Sequence, residues 1–255
     1  MKNLATCFVC ICSFLLGEMT PFEKGIKSYN ARAENARGLK AQAGPINYAI
    51  KEFIKAQNNP EKNLESGIYL LRCYYYKGKF VAESDEQKKA VFNEGKALGE
   101  RLIESYPESA PARYWYLVNL GSWAEVYGIL SAAKEGVADL MRDHSNKIIQ
   151  LDPEYSNGGG YFMLGAVHFK SPYIPFILSW PRNDKAIEYL TKAFESGRPT
   201  PSQTVYLARA VYKDGQKDRA KNLLTALLEQ PFSENEPVED FEQHQEAKTL
   251  LENWK

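Results

Sequence analysis

From Thr20 onward, apolar residues recur at intervals of three and four, and no stretch alternates with period two, so the pattern predicts helix throughout. Val91, Gly95, Leu98, Leu102 and Tyr106 form one stripe. Val137, Leu140, Met141, Ile148 and Leu151 form another, with Lys134, Asp139, Arg142, Asp143 and Lys147 on the opposite side. Each stripe gives an amphipathic helix one face to bury. Asn59-Pro60, Tyr106-Pro107 and Asp152-Pro153 interrupt the pattern, because proline removes a backbone donor and blocks the preceding turn.

The spacing of these interruptions predicts a repeat. Pro60 to Pro107 is 47 residues, and Pro107 to Pro153 and Pro153 to Pro199 are each 46. Such periods suit helical solenoids, in which a hairpin cannot hide its apolar face alone and stacks on its neighbour. HEAT and armadillo repeats have this length, but the residues favour a stretched tetratricopeptide repeat. Tyr161, Leu164, Gly165 and His168 fall where its first helix has an aromatic, a leucine, a glycine and a second large residue. Ala186, Leu190 and Ala193 recur 34 residues later as Ala220, Leu224 and Leu227, with the polar turn Lys213-Asp214-Gly215-Gln216 between. An uncharged insertion, Ser171 to Pro181, lengthens the preceding repeat. The expected fold is all-α: a right-handed α-solenoid of at least four tetratricopeptide-like antiparallel hairpins, forming one domain over residues 21–255. A helix from Val238 to Trp254 ends it.

Composition narrows the function. Lysine plus arginine and aspartate plus glutamate number 32 each, so no global field favours nucleic acid. The charge is uneven along the chain. Glu23 to Lys40 is basic through Lys24, Lys27, Arg32, Arg37 and Lys40, whereas Glu229 to Lys255 carries eight acids against Lys248 and Lys255. These are either two solvated faces or complementary ends that meet between subunits of a homo-oligomer. Met1 to Thr20 reads as a signal peptide, with Lys2 before the apolar run Leu4 to Gly17, which is too short to span a bilayer as a helix. Export, to the periplasm, is the expectation. Lipid anchoring is not expected, because Leu4-Ala5-Thr6-Cys7 comes before any apolar run. Cys7, Cys10 and Cys12 fall in the leader, leaving Cys73 with no cysteine to pair with.

Tyr114-Trp115-Tyr116, Leu120-Gly121-Ser122-Trp123, Leu151-Asp152-Pro153-Glu154-Tyr155, Gly158-Gly159 and Leu164-Gly165 followed by Pro172 resemble the T-component proteins associated with TRAP transporters. The likeness covers roughly Leu64 to Glu229. It implies a periplasmic helical solenoid, able to oligomerise, that partners the solute-binding protein of a tripartite transporter. The chain departs from that family's pattern in lacking a lipid box and in the insertion around Tyr173 to Trp180.

Chemistry is sparse. There is no G-x-S-x-G elbow, no H-E-x-x-H pair, and no C-x-x-C outside the leader. His144, His168 and His244 stand apart from any ligand spacing, so no metal, cofactor or catalytic site is expected. Gly158-Gly159-Gly160 lacks the lysine and hydroxyl of a phosphate loop and reads as a turn into a helix. The binding candidates are aromatic: Tyr114, Trp115, Trp123, Tyr127, Tyr161 and His168 in the repeats, and Tyr173, Phe176 and Trp180 in the insertion. Tyr114 to Tyr127, like Tyr74-Tyr75-Tyr76, samples too much of the helix circumference to enter one core, so part of each set is expected in a concave groove. The insertion either plugs the core or walls a pocket or docking patch. The reading is a non-enzymatic adaptor that holds a protein partner, with a carrier of a small apolar or amphipathic ligand as the alternative.

Overall fold

Thr20 opens the first helix, α1 (Pro21–Asn30), with a capping box: its hydroxyl accepts from Glu23 N–H while the Glu23 carboxylate accepts from Thr20 N–H. Thr200, Pro201 and Gln203 repeat the device at α10 (Pro201–Lys213). The computed structural model describes residues 18–254. Most of the leader predicted from the sequence therefore lies outside the described residues; Thr20, its last residue, is the cap of α1.

Between these two helices run α2 (Ala43–Ala56), α3 (Asn63–Phe80), α4 (Asp85–Ser105), α5 (Ala110–Tyr127), the short α6 (Ile129–Lys134), α7 (Val137–Leu151), α8 (Tyr155–Lys170) and α9 (Asn183–Glu195). Helices α11 (Lys217–Leu228) and α12 (Pro237–Asn253) complete the chain. Among the described residues there are no strands, only isolated bridges at Arg37–Lys40 and Ile174–Leu178. Helices α1/α2, α3/α4, α5/α7, α8/α9 and α10/α11 pack as hairpins in chain order, and α12 packs on the last of them. Pro60, Pro107, Pro153 and Pro199 each stand just before the first helix of a hairpin, so the proline period is the hairpin period. The α-solenoid is thus present as the repeats predicted.

The 34-residue recurrence marks the crossings themselves: Ala186, Leu190, Ala193, Ala220, Leu224 and Leu227 are all completely buried. A larger residue at such a crossing overpacks it. Ala220→Leu is therefore expected to cost about 1–3 kcal/mol, read as a lowered midpoint of urea unfolding. Gly165 shows why the repeat needs its glycine. A Cβ there would lie 2.6 Å from Leu190 Cγ and 2.9 Å from the Leu190 backbone nitrogen, so α8 and α9 could not approach as they do.

The start of α8 is a left-handed turn. Ser156, Asn157 and Gly158 have φ of 53°, 54° and 75°, and the right-handed helix follows them. Gly158 faces α9 so closely that a Cβ would sit 3.2 Å from Ala193 Cα. The buried Gln203 of α10 donates from its amide to Asn157 O (2.7 Å), tying the turn to the next hairpin.

The two charged ends meet within one chain. Val238 of α12 lies in the same apolar cluster as Tyr29, Leu71 and Phe80 of the first hairpins. Arg32, just past α1, is buried; it donates through Nε and Nη2 to Glu239 Oε1 (3.3 and 3.0 Å) and through Nη2 to Asn235 O. Lys79 of α3 pairs with Glu242 (2.9 Å). The superhelix brings its last helix round to its first hairpin. Arg32 of the basic segment and Glu239 of the acidic one therefore meet as an internal clasp, and this pair is not free to join subunits.

Candidate functional site

Inside the clasp lies a groove of about 570 Å³, floored by α5 and α8 and bounded by α3, α10 and α12. Apolar and aromatic residues dominate it: Tyr75, Tyr114, Trp115, Val118, Phe162, Ala166 and Tyr206. Gly121 leaves the floor open, since a Cβ there would meet nothing nearer than Met141 Cε at 3.9 Å. One wall is made by the helix break Gly128 to Ala138, where Gly128 and Gly136 take positive φ of 86° and 64°. The insertion supplies another, through Ile174, Ile177 and Leu178.

Lys79 with Glu242 and Lys170 with Glu125 (3.0 Å) form ion pairs within the lining. Asp139 and Glu239 also line it, paired to Arg142 and Arg32, and Glu236 and Asp240 add further carboxylates. Burial pushes the Lys79 ammonium down, but Glu242 outweighs it and holds the pKa above its ordinary value. Burial also lifts the Tyr114 phenol to about 12 and that of Tyr75 well above its usual range, so both are neutral hydrogen-bonding groups at physiological pH. Among the described residues no group of three or more His, Cys, Asp or Glu is placed to hold a metal ion.

The aromatic candidates divide by helix face. Tyr114 and Trp115 line the groove, and their rings meet edge to face at 5.5 Å. Trp123 and Tyr127, about two and three turns on, lie outside the lining. Trp123 is buried, its indole N–H donates to Asn93 Oδ1 (2.8 Å), and it stacks on Tyr127 at 4.4 Å. Tyr161 sits beside Lys192 of α9, outside the groove lining. His168 packs between Trp180 and Tyr189, and its ring accepts from Arg182 N–H. Trp180 lies outside the lining, its indole N–H donating to Asp139 Oδ1 (2.9 Å) and the Arg142 guanidinium over its ring.

The insertion is neither wholly plug nor wholly wall. Leu178 is buried and Ile174 turns inward, whereas Tyr173 and Phe176 are exposed and stay outside the lining. Phe176 also has a positive φ of 65°, at the tip of the turn closed by Ile174 and Leu178. Of the sequence-selected residues, the groove therefore brings together Tyr114 and Trp115. It adds Tyr75, Lys79, Val118, Phe162 and Tyr206. Only Tyr75 of these had a signal, as the middle member of a tyrosine triplet in which Tyr76 is buried.

All three histidines are packed, and burial pushes each pKa below 6.5. Arg113 points a donor at His144 Nδ1 (2.8 Å), which requires the neutral ring. Because the folded values lie below the unfolded one, the unfolded chain takes up more protons as pH falls through about 6.5, so this stability is present above that pH and lost below it. Urea midpoints measured one unit above and one unit below about 6.5 are expected to fall on the acid side. His144→Gln, whose amide can accept the same bond, should flatten the step.

Comparison with known proteins decides the family. The model for "Regulator of microtubule dynamics protein 1-3" matches residues 33–176, more than half of the chain. The chain belongs to the regulator of microtubule dynamics family. A curated relative, Regulator of microtubule dynamics protein 3 of Rattus norvegicus, is 28% identical over 181 residues, covering 66% of this chain and 37% of that protein. The chain thus spans little more than a third of that relative's length. A solved thermophilic TPR protein of Thermus thermophilus superposes with a TM-score of 0.58 at 14% identity, covering 92% of this chain and 96% of that one. That likeness establishes the fold.

Membership in this family overturns the resemblance to TRAP transporter T-components, and with it the periplasmic address, the transporter role and the solute-binding protein as partner. The misleading residues share a physical reason. Leu120, Trp123 and Leu164 are core, Gly165 is a helix crossing, and Leu151-Asp152-Pro153 ends a helix. These are packing and helix-ending roles, so they report architecture and not ancestry.

Proposed function

We propose that this chain is the non-enzymatic partner-holding module of a regulator of microtubule dynamics, taking an apolar segment of another polypeptide into its groove. The observation that carries this reading is the groove itself: a preformed apolar and aromatic floor with charged groups around it, as in protein interfaces, where aromatic residues dominate the contact energy. Stacked helical hairpins present such concave surfaces to partners. The family name supplies the process in which the partner would act.

A second reading, a small apolar or amphipathic ligand, is favoured by one feature. The insertion and α12 partly roof the groove, and its volume lies within the range of about 300–1,000 Å³ usual for small-molecule sites. Native mass spectrometry of the purified chain separates the two. The polypeptide reading expects the mass of the chain alone and an empty groove; a stoichiometric small molecule released into organic solvent would favour the second.

A further inference from the structure

A smaller cavity, of about 340 Å³, opens beside the groove and shares Tyr29 and Glu236 with its lining. It holds two arginines in different states. Arg32 is occupied by Glu239 and Asn235 O in the clasp. Arg72, on α3, is held by rings: its guanidinium carbon lies 5.0 Å from the Tyr29 ring centre, 5.1 Å from that of Tyr69 and 5.0 Å from that of Trp115. Its Nε donates to Tyr29 Oη (3.3 Å), and its terminal nitrogens have no hydrogen bond or ion-pair partner among the described residues. Those nitrogens are not sealed off, because none is among the buried polar atoms left without a partner. Aromatic faces thus fix the fork and leave its terminal nitrogens without a contact, in a setting where a half-buried guanidinium normally finds an oxyanion.

We infer that the Arg72 cavity is a carboxylate site, which receives a chain end or acidic side chain of the segment held in the groove. This rests on the polypeptide reading above. Trp115 joins the two spaces, since it lines the groove and lies against Arg72. The charge count favours the smaller anion. Arg32 and Glu239 cancel, and Glu236 lines the same cavity and balances Arg72 without contacting it, so any anion meets its repulsion; one carboxylate matches the planar fork and meets that repulsion once, whereas a dianionic phosphate meets it twice.

The test follows the Arg72 Nε–Hε resonance of the full chain, assigned by its absence from Arg72→Gln. The probes are sodium acetate, inorganic phosphate, the tripeptide acetyl-leucyl-phenylalanyl-leucine as free acid and as amide, and the amide of acetyl-leucyl-phenylalanyl-glutamate. The free acid is expected to move the resonance and to bind about tenfold tighter than its amide, the equivalent of one charge-assisted contact. The glutamate amide recovers that gain if a side chain serves, and fails to if a chain end is required. Glu236→Gln, which leaves the clasp intact, should widen the preference, and it keeps the test alive should Arg72→Gln not fold. Equal binding of acid and amide in both the parent and Glu236→Gln overturns the inference and leaves the groove reading standing. So does a resonance that answers phosphate and not acetate. If acetate moves the resonance but no peptide binds, the carboxylate site stands and the polypeptide reading falls.

Discussion

Arg32→Ala is expected to destabilise the chain by about 3–5 kcal/mol, the cost of leaving a buried carboxylate without its counter-charge. Arg32 is 3% exposed, its guanidinium lies over the Tyr29 ring at 4.3 Å, and Tyr76 Oη donates to its carbonyl (3.1 Å). Burial already raises the Glu239 pKa against the opposing pull of Arg32, and Glu239 Oε2 has no partner of its own. With the cation gone, only protonation of Glu239 relieves the site, so the loss should shrink at acidic pH. Glu239→Gln should cost less, because its amide oxygen still accepts from Arg32. Urea unfolding of the three proteins near neutral pH and near pH 4 gives the comparison. A loss at Arg32→Ala below about 1 kcal/mol, the value of an exposed pair, would mean that the clasp is superficial.

Gly121→Phe is expected to leave the fold in place and abolish partner binding. Position 121 lies mid-helix on the groove floor, where a Cβ meets nothing nearer than Met141 Cε at 3.9 Å, so a larger side chain starts into the groove without a clash at the backbone. Replacing glycine inside a helix also contributes a few tenths of a kcal/mol in favour of folding. The melting temperature should therefore hold or rise slightly. Binding of any apolar segment should weaken by about a hundredfold or more, since two to three buried side chains at 1.5–3 kcal/mol each are excluded. Loss of binding without loss of stability separates a groove that serves function from one that is a packing gap.

Much of the architecture was legible because solenoid packing is local. Ala186 and Ala220 are fixed by the crossing within one hairpin, and the prolines by the start of the next, so both leave a periodic trace. The clasp left only an ambiguous one. Whether Arg32 meets Glu239 of the same chain or of a second copy depends on rotation summed over five hairpins, which no single segment encodes. The groove was half legible for a similar reason. Helical spacing showed that Tyr114 to Tyr127 could not share one core, but not that Trp115 would turn inward while Trp123 turned toward Asn93. In the insertion, composition demanded burial for Phe176, yet the turn closed by Ile174 and Leu178 projects it outward. Family identity was least legible, because the landmarks at Leu120, Gly165 and Pro153 serve packing and helix ends.

The most direct test of the central claim is photo-crosslinking from the groove floor. Benzoylphenylalanine placed at Val118, irradiated in cells that express the full chain, is expected to yield a covalent polypeptide adduct whose sequence is one apolar segment. The same probe at the exposed Glu94 should not yield it, and Gly121→Phe should eliminate it. No adduct at position 118, or one whose mass is that of a small molecule, would contradict the account.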